Sequence, residues 1–329
     1  MPTRLDNLPM QATSATLRAH QFAGLEGAAA PRLIVLGAVH GNETCGTRAI
    51  ERVLGEIDRG ELQIVRGLLT LVPVTNPLAY AKGERRGERN LNRRLLPTDT
   101  PVEFEDLIAN VLCPWLAAHD VLLDLHSFAN PGRPFVMRGP ADNNGTLEPF
   151  AHAEAEGRFA AHLGPTRIVE GWMAAYARGA ARRRERGLTE DADPSYGIGT
   201  TETMRNRGGY GVTLECGQHD DPAAPDVGYR AIRQAIALLG LADIPLAPPS
   251  AEFERLRLTE VVDRQQAGDR FVRPWRSFDA VHADEHVGER HDGTPVIARA
   301  EGYIVFPDPD ALPGHEWFYF AQASERPLL

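Results

Sequence analysis

Apolar and polar positions alternate in blocks along the first two thirds of the chain. Short unbroken apolar runs are followed by longer stretches whose apolar residues share one helical face. The first run covers residues 33–39 (Leu-Ile-Val-Leu-Gly-Ala-Val) and reads as a buried strand. Residues 47–56 follow as a helix, with Ala49, Ile50, Val53 and Leu54 on one face. Residues 67–74 predict the next strand, closed by Pro73 and Pro77. A helix is expected over 104–119, which Pro114 should end or kink. A strand over 121–125, a helix over 147–163 and a short buried strand at 212–214 come next. Residues 228–239 predict a further helix, with Ile232, Ala235, Ile236 and Leu239 on one face. This alternation gives an α/β class: a mostly parallel or mixed central sheet flanked by helices.

The pattern changes near Leu246-Ala-Pro-Pro-Ser250. From Phe253 onward the segments are short, β-like and separated by turn residues. Residues 294–299 and 302–307 read as two strands paired around a turn. The chain therefore divides into a larger domain over 1–247 and a smaller all-β domain over 248–329. It shows no internal repeat and no low-complexity tract.

In open α/β sheets the chemistry collects at the carboxyl ends of the strands. His40-Gly-Asn-Glu43 directly follows the first apolar run, and His126 follows the run Asp120-Val-Leu-Leu-Asp-Leu125. Two histidines and a glutamate supply three protein ligands to one metal ion and leave a position open for water. Gly41 allows a tight backbone turn between the first two. Taken singly, His40 and Glu43 also read as a surface pair, and His126 as a hydrogen-bonded core histidine. Glu215, in Gly211-Val-Thr-Leu-Glu-Cys-Gly217, ends a third apolar run. It is a candidate general base for activating water, or a cap for the loop that follows. Arg85 and the run Arg89-Asn-Leu-Asn-Arg93 offer guanidinium groups, which hold carboxylates through two parallel hydrogen bonds.

Charge narrows the picture. The net charge of −10 argues against non-specific nucleic-acid binding. Basic residues still cluster, at 82–94 and again at 178–186, which suits a small anionic ligand; most of these arginines are expected on solvated loop and helix faces. The three cysteines, Cys45, Cys113 and Cys216, argue against a disulfide framework and fit a reducing cytoplasm. Cys216 reads as a small buried residue. The first residues lack the apolar core of a signal peptide, and no stretch reaches the length of a membrane span. A cytoplasmic protein without membrane association is expected.

Together, His40-Gly-Asn-Glu43, Asn76-Pro77, Asn90-Leu-Asn-Arg93, Leu123-Asp-Leu-His126 and Leu214-Glu-Cys-Gly217 resemble the succinylglutamate desuccinylase/aspartoacylase family, relatives of the zinc carboxypeptidases. The resemblance spans roughly residues 31–240, and the family also carries a compact C-terminal β domain. It implies one zinc ion per chain, held by His40, Glu43 and His126, with Glu215 as the base. It implies that Arg85 polarises the scissile carbonyl and that Asn92 and Arg93 bind the substrate α-carboxylate. Arg205 matches a second substrate-binding arginine in spacing, with Arg207 as its competitor. Two positions depart from the pattern. Asn90 stands where many members carry aspartate, and Thr201 where aspartoacylases carry a tyrosine that Tyr196 or Tyr210 would have to replace. These departures put an aspartate-type acyl pocket in doubt. Asp124, two residues before His126, is assigned a supporting part.

The reading that follows is a zinc-dependent deacylase acting on a linear amide in a small anionic N-acyl amino acid. The resemblance leaves room for a homo-oligomer. A metallocarboxypeptidase would use the same ligands and base, but on an open cleft. A non-catalytic protein sensing a carboxylated metabolite on the same fold is the third reading.

Overall fold

The computed structural model describes residues 3–6, 17–24, 30–188 and 192–328. The strands are β1 (Thr3–Asp6), β2 (His20–Ala23), β3 (Arg32–Leu36), β4 (Leu68–Val72), β5 (Val121–Phe128), β6 (Phe135–Met137), β7 (Arg167–Glu170) and β8 (Tyr210–Gln218). After residue 247 come β9 (Glu254–Asp263), β10 (Arg270–Phe271), β11 (Asp279–Val281), β12 (His286–Glu289), β13 (Pro295–Ile297), β14 (Gly302–Val305) and β15 (Glu316–Ala323). The helices are α1 (Cys45–Asp58), α2 (Pro77–Lys82), α3 (Phe104–Ala117), α4 (Ala153–His162), α5 (Trp172–Glu185), α6 (Thr200–Asn206) and α7 (Ala224–Leu238).

Twelve strands form one mixed sheet in the order β1-β2-β4-β3-β5-β8-β6-β7-β9-β15-β14-β11. Its centre, β4-β3-β5-β8, is parallel. The apolar runs are continuous there because both faces are covered. Leu33, Val35, Leu123 and Leu125 pack with residues of α1 and α7 on one side. Ile34, Leu36 and Leu122 alternate to the other side and pack with residues of α3 and with Met204 of α6. Beyond β7 the sheet continues without a break into β9, β15, β14 and β11, while β10, β12 and β13 form a separate small antiparallel sheet.

Four expectations change. His126 and Glu215 lie inside β5 and β8, because the two strands stay paired past both residues. Helix α3 runs through Pro114 to Ala117: the proline opens the last turn, where the missing N–H removes only one hydrogen bond. Helix α4 starts at Ala153 rather than 147, since Asn143 and Phe150 pair as a bridge and Asp142 accepts the Ala153 N–H. Segments 294–299 and 302–307 both contain strands, but not a pair. β13 joins β12 as a half-exposed edge, whereas β14, carrying buried Ile304 and Val305, sits between β11 and β15.

Arg183, expected on a solvated helix face, is instead buried. It makes two hydrogen bonds to Asp263, 3.1 Å from Nε to Oδ2 and 2.6 Å from Nη2 to Oδ1. Arg186 adds a third at 2.6 Å, so this carboxylate ties α5 to β9. Replacing Asp263 with alanine takes the nearest carboxylate from a buried guanidinium, which keeps the Tyr176 hydroxyl at 3.3 Å and Glu316 at 3.9 Å. It should lower unfolding free energy by about 3–5 kcal/mol in a denaturant titration. A loss under about 1 kcal/mol, the size of a surface pair, would show that this tie does not hold the helix to the sheet.

Candidate active site

His40 lies just beyond β3, after Ala38, whose φ of 46° turns the chain out of the strand. Glu43 follows in a turn closed by its own N–H to the His40 carbonyl. Gly41 has no left-handed φ; it is required because its backbone lies against helix α2, where a Cβ would fall 2.0 Å from the Ala79 carbonyl carbon. Asp124 and His126 share one face of β5, as alternation demands. In the parallel register His126 stands beside Glu215, and Asp124 beside Thr213.

These placements bring His40, Glu43 and His126 together, fully buried, with their donor atoms within 4.8 Å of one another. Glu43 bridges the imidazoles, with Oε1 2.8 Å from His40 Nδ1 and Oε2 2.8 Å from His126 Nδ1. The outer ring nitrogens are also held: His40 Nε2 lies 3.0 Å from Asn90 Oδ1, and His126 Nε2 lies 2.9 Å from Asp124 Oδ2. An imidazole anchored on one nitrogen and turned inward on the other is how proteins orient metal-binding histidines. The donor set, its closure and its anchoring therefore fit a divalent cation such as zinc. Asn90 fills the anchoring role through its carbonyl oxygen, so the departure from aspartate leaves that contact intact.

Charge in the cluster is unevenly held. Burial opposes ionisation of Glu43, yet the two histidines outweigh it and hold the carboxyl well below its ordinary range. Burial and the nearby Arg85 charge lower His40 to about 4. His126 goes the other way: burial is outweighed by Asp124 and Glu43, which keep it protonated well above the ordinary range. Glu215 is pushed up to about 8 by burial, with Glu43 and Asp124 adding to the rise and His126 and Arg85 opposing it. Its Oε2 is buried without a hydrogen-bond partner.

His40, His126 and Glu215 face a cavity of about 990 Å³. Arg85 lines it, with a half-exposed side chain whose Nη1 donates to Glu43 Oε1 at 2.8 Å. Asn92 and Arg93 line it too. The Asn92 side-chain oxygen accepts the Thr200 N–H at 2.9 Å, an approach that only a glycine at 199 permits. The Arg93 guanidinium lies over the Trp172 ring at 4.7 Å and faces Glu316 at 3.6 Å. Arg205 reaches the cavity wall but is enclosed by Glu148, Glu156 and Glu202. Arg207 is exposed and off the cavity; Thr201 and Tyr196 line it, and Tyr210 does not.

Several further residues shape the site, of which Glu105, Asp106 and His219 carry no local sequence signal. Buried Glu105 accepts the backbone N–H groups of Gly87, Glu88 and Arg89 and so fixes the arginine loop, while Arg89 is itself buried against Asp106. The Asn76–Pro77 pair caps α2, with Asn76 also donating to Glu105. His219, 2.8 Å from the Ser127 hydroxyl, lines the cavity beside the cluster. The far wall comes from the C-terminal segment: Phe306, Pro307, Asp308, His315, Glu316 and Tyr319.

Comparison with known proteins agrees with this geometry. Residues 29–133 match the succinylglutamate desuccinylase/aspartoacylase catalytic domain. No protein of curated function matches the chain in sequence. Among solved structures, the succinylglutamate desuccinylase/aspartoacylase of Rhodobacter sphaeroides superposes with a TM-score of 0.69 at 17% identity, over 99% of this chain and 96% of that one. A succinylglutamate desuccinalase of Vibrio parahaemolyticus gives 0.70 at 15% identity, over 98% and 92%. The ectoine utilization protein EutE (DoeB) of Ruegeria pomeroyi, in a product-bound structure, gives 0.67 at 18% identity, over 97% and 93%. At such identities these likenesses establish the fold. Residues 29–133 thus match the succinylglutamate desuccinylase/aspartoacylase catalytic domain, and the structural likenesses carry the same fold through the rest of the chain.

Proposed function

We propose that the protein is a zinc-dependent deacylase that hydrolyses a linear amide in a small N-acyl amino acid. The observation that carries this reading is the unpartnered, buried Glu215 carboxyl beside the His40–Glu43–His126 cluster in one cavity. A cation held by that cluster supplies polarisation of the acyl carbonyl and a lowered pKa for water.

The chain's own residues then divide the remaining work. Glu215 takes a proton from the attacking water on a carboxylate oxygen and returns it to the departing amine nitrogen. A base whose pKa is raised toward neutrality suits both transfers. Arg85, whose guanidinium already reaches Glu43, is placed to donate to the oxygen of the tetrahedral intermediate. Arg93 and Asn92 hold the carboxylate end. Arg93 is fixed in place by the Trp172 face and by its hydrogen bond to the Asn92 carbonyl, which limits the entropy lost on binding.

The wall formed by the C-terminal segment favours a small substrate. Residues 306–312, with His315 and Tyr319, add a wall to the cavity that a peptide substrate would have to pass. That supports deacylation over carboxypeptidase action.

The test is amine release from a panel of N-acyl amino acids and short peptides, with and without a chelator, then with zinc restored. Chelator-sensitive release from acyl amino acids is expected; release from peptides alone would overturn the reading. Glu215→Gln should lower kcat by about 10²–10⁴-fold while zinc still binds at one ion per chain, and wild-type turnover would remove Glu215 from the base role. Asn90→Ala should weaken zinc affinity by about 10–100-fold in a competition titration. Unchanged affinity would show that His40 needs no outer anchor.

A further inference from the structure

Arg205 stands where the family resemblance would put a carboxylate-binding arginine, yet its surroundings carry the opposite demand. Its Nε donates to Glu156 Oε1 at 2.7 Å, Nη1 to Glu148 Oε1 at 2.7 Å and to Glu202 Oε1 at 3.4 Å, and Nη2 to the Gly211 carbonyl at 2.6 Å. Every nitrogen of the guanidinium is therefore engaged. The Phe150 ring lies 5.6 Å from its central carbon, and a Cβ on Gly139 would fall 2.3 Å from Nε. No room is left for a second anion to fork onto it.

One guanidinium faces three carboxylates here. Glu156 is also satisfied by the N–H groups of Gly139 and Gly211, and Glu202 by the Gly199 N–H and the Thr201 hydroxyl. Glu148 has Arg205 as its hydrogen-bond partner and presents its carboxyl at the cavity wall. Burial raises it to about 7, with Arg205 opposing and Glu202 and Glu156 adding to the rise. Glu148, Glu202, Thr213 and the unpartnered Glu215 line the same cavity. Glu215, Thr213 and Gly211 follow one another on one face of β8. The Arg205 contact at Gly211 thus lies about 13 Å along the strand from the base. A second observation points the same way. Arg93, the other arginine assigned to a carboxylate, already faces Glu316 of β15. Both arginines come with internal counter-charges, so the pocket is built for less negative charge than a dicarboxylate brings.

We propose that the distal end of this cavity, at Glu148 and Glu202, receives a cationic group of the substrate, an ammonium or guanidinium. The hydrolysed compound is then an N-acyl amino acid that carries a basic group, not a second carboxylate. Glu148 and Glu202 are the residues that set this specificity. The inference rests on the deacylase reading and narrows it.

The test uses the full-length, zinc-loaded protein and two length-matched substrate series. One varies the amino-acid side chain among ammonium, amide and carboxylate ends; the other varies the end of the acyl chain in the same way. In one of the two series kcat/KM should be higher for the ammonium member than for the amide member by about tenfold or more, with the carboxylate member lowest. Glu148→Gln should level that ranking through KM, and Glu148→Asp, which keeps the charge, should preserve it. Glu202→Gln provides a second variant should the first fail to fold. Equal rates across both series, or a carboxylate member ranked first, would overturn the inference and leave the deacylase reading standing. No hydrolysis of any member would overturn both.

Discussion

A buried carboxylate shared between two imidazoles is the constraint on which the rest of this pocket depends. An isolated carboxylate in such a place would take up a proton or leave the interior. Glu43 stays ionised because His40, His126, Arg85 and the Ser127 N–H converge on it. These partners arrive from three different elements. The loop after β3 brings His40, β5 brings His126 and Ser127, and the stretch pinned by Glu105 brings Arg85. None of those elements can shift without leaving charge uncompensated where water cannot reach it.

The same logic extends outward. Asp124 anchors His126 and is itself held by the Thr200 hydroxyl at the start of α6, 2.5 Å away. Thr200 N–H in turn meets Asn92. One short helix thereby links the histidine cluster to the loop that presents Arg93. Further along α6, Glu202 and Arg205 join the acidic end of the cavity. Seven residues of helix thus reach Asp124 behind the cluster, the loop of Asn92 and Arg93, and the acidic end of the cavity.

The parallel core was legible in the sequence because doubly covered strands are predominantly apolar, as β3 is over residues 33–36, β5 over 121–123 and β8 over 211–214 apart from Thr213. His40, Glu43 and His126 were legible for a related reason: polar residues that interrupt or follow such runs need a purpose. The spacing of Asn90, Asn92 and Arg93 located their loop but not what fixes it, since Glu105 lies in a helix whose pattern gives no sign that an acid faces inward. The C-terminal wall was out of reach for another reason. Phe306, Glu316 and Tyr319 sit about a hundred residues from Glu215 in sequence and meet it only through the strand order. Arg205 shows the limit of matching by spacing. The position lies on the cavity wall, but the three carboxylates around it come from three places in the chain, and they take up its hydrogen bonds.

The sheet that passes without a break from β7 into β9 and β15 also governs how the pocket behaves in time. A cover joined by a flexible linker can swing; one whose strands share a backbone ladder with the floor cannot, since parting them would break a row of hydrogen bonds at once. The strands that carry the far wall are therefore fixed to the floor, while its residues 306–315 form the loop between β14 and β15. Glu316 and Tyr319, which do lie on β15, are therefore held in place before any ligand enters, and their ordering costs little on binding.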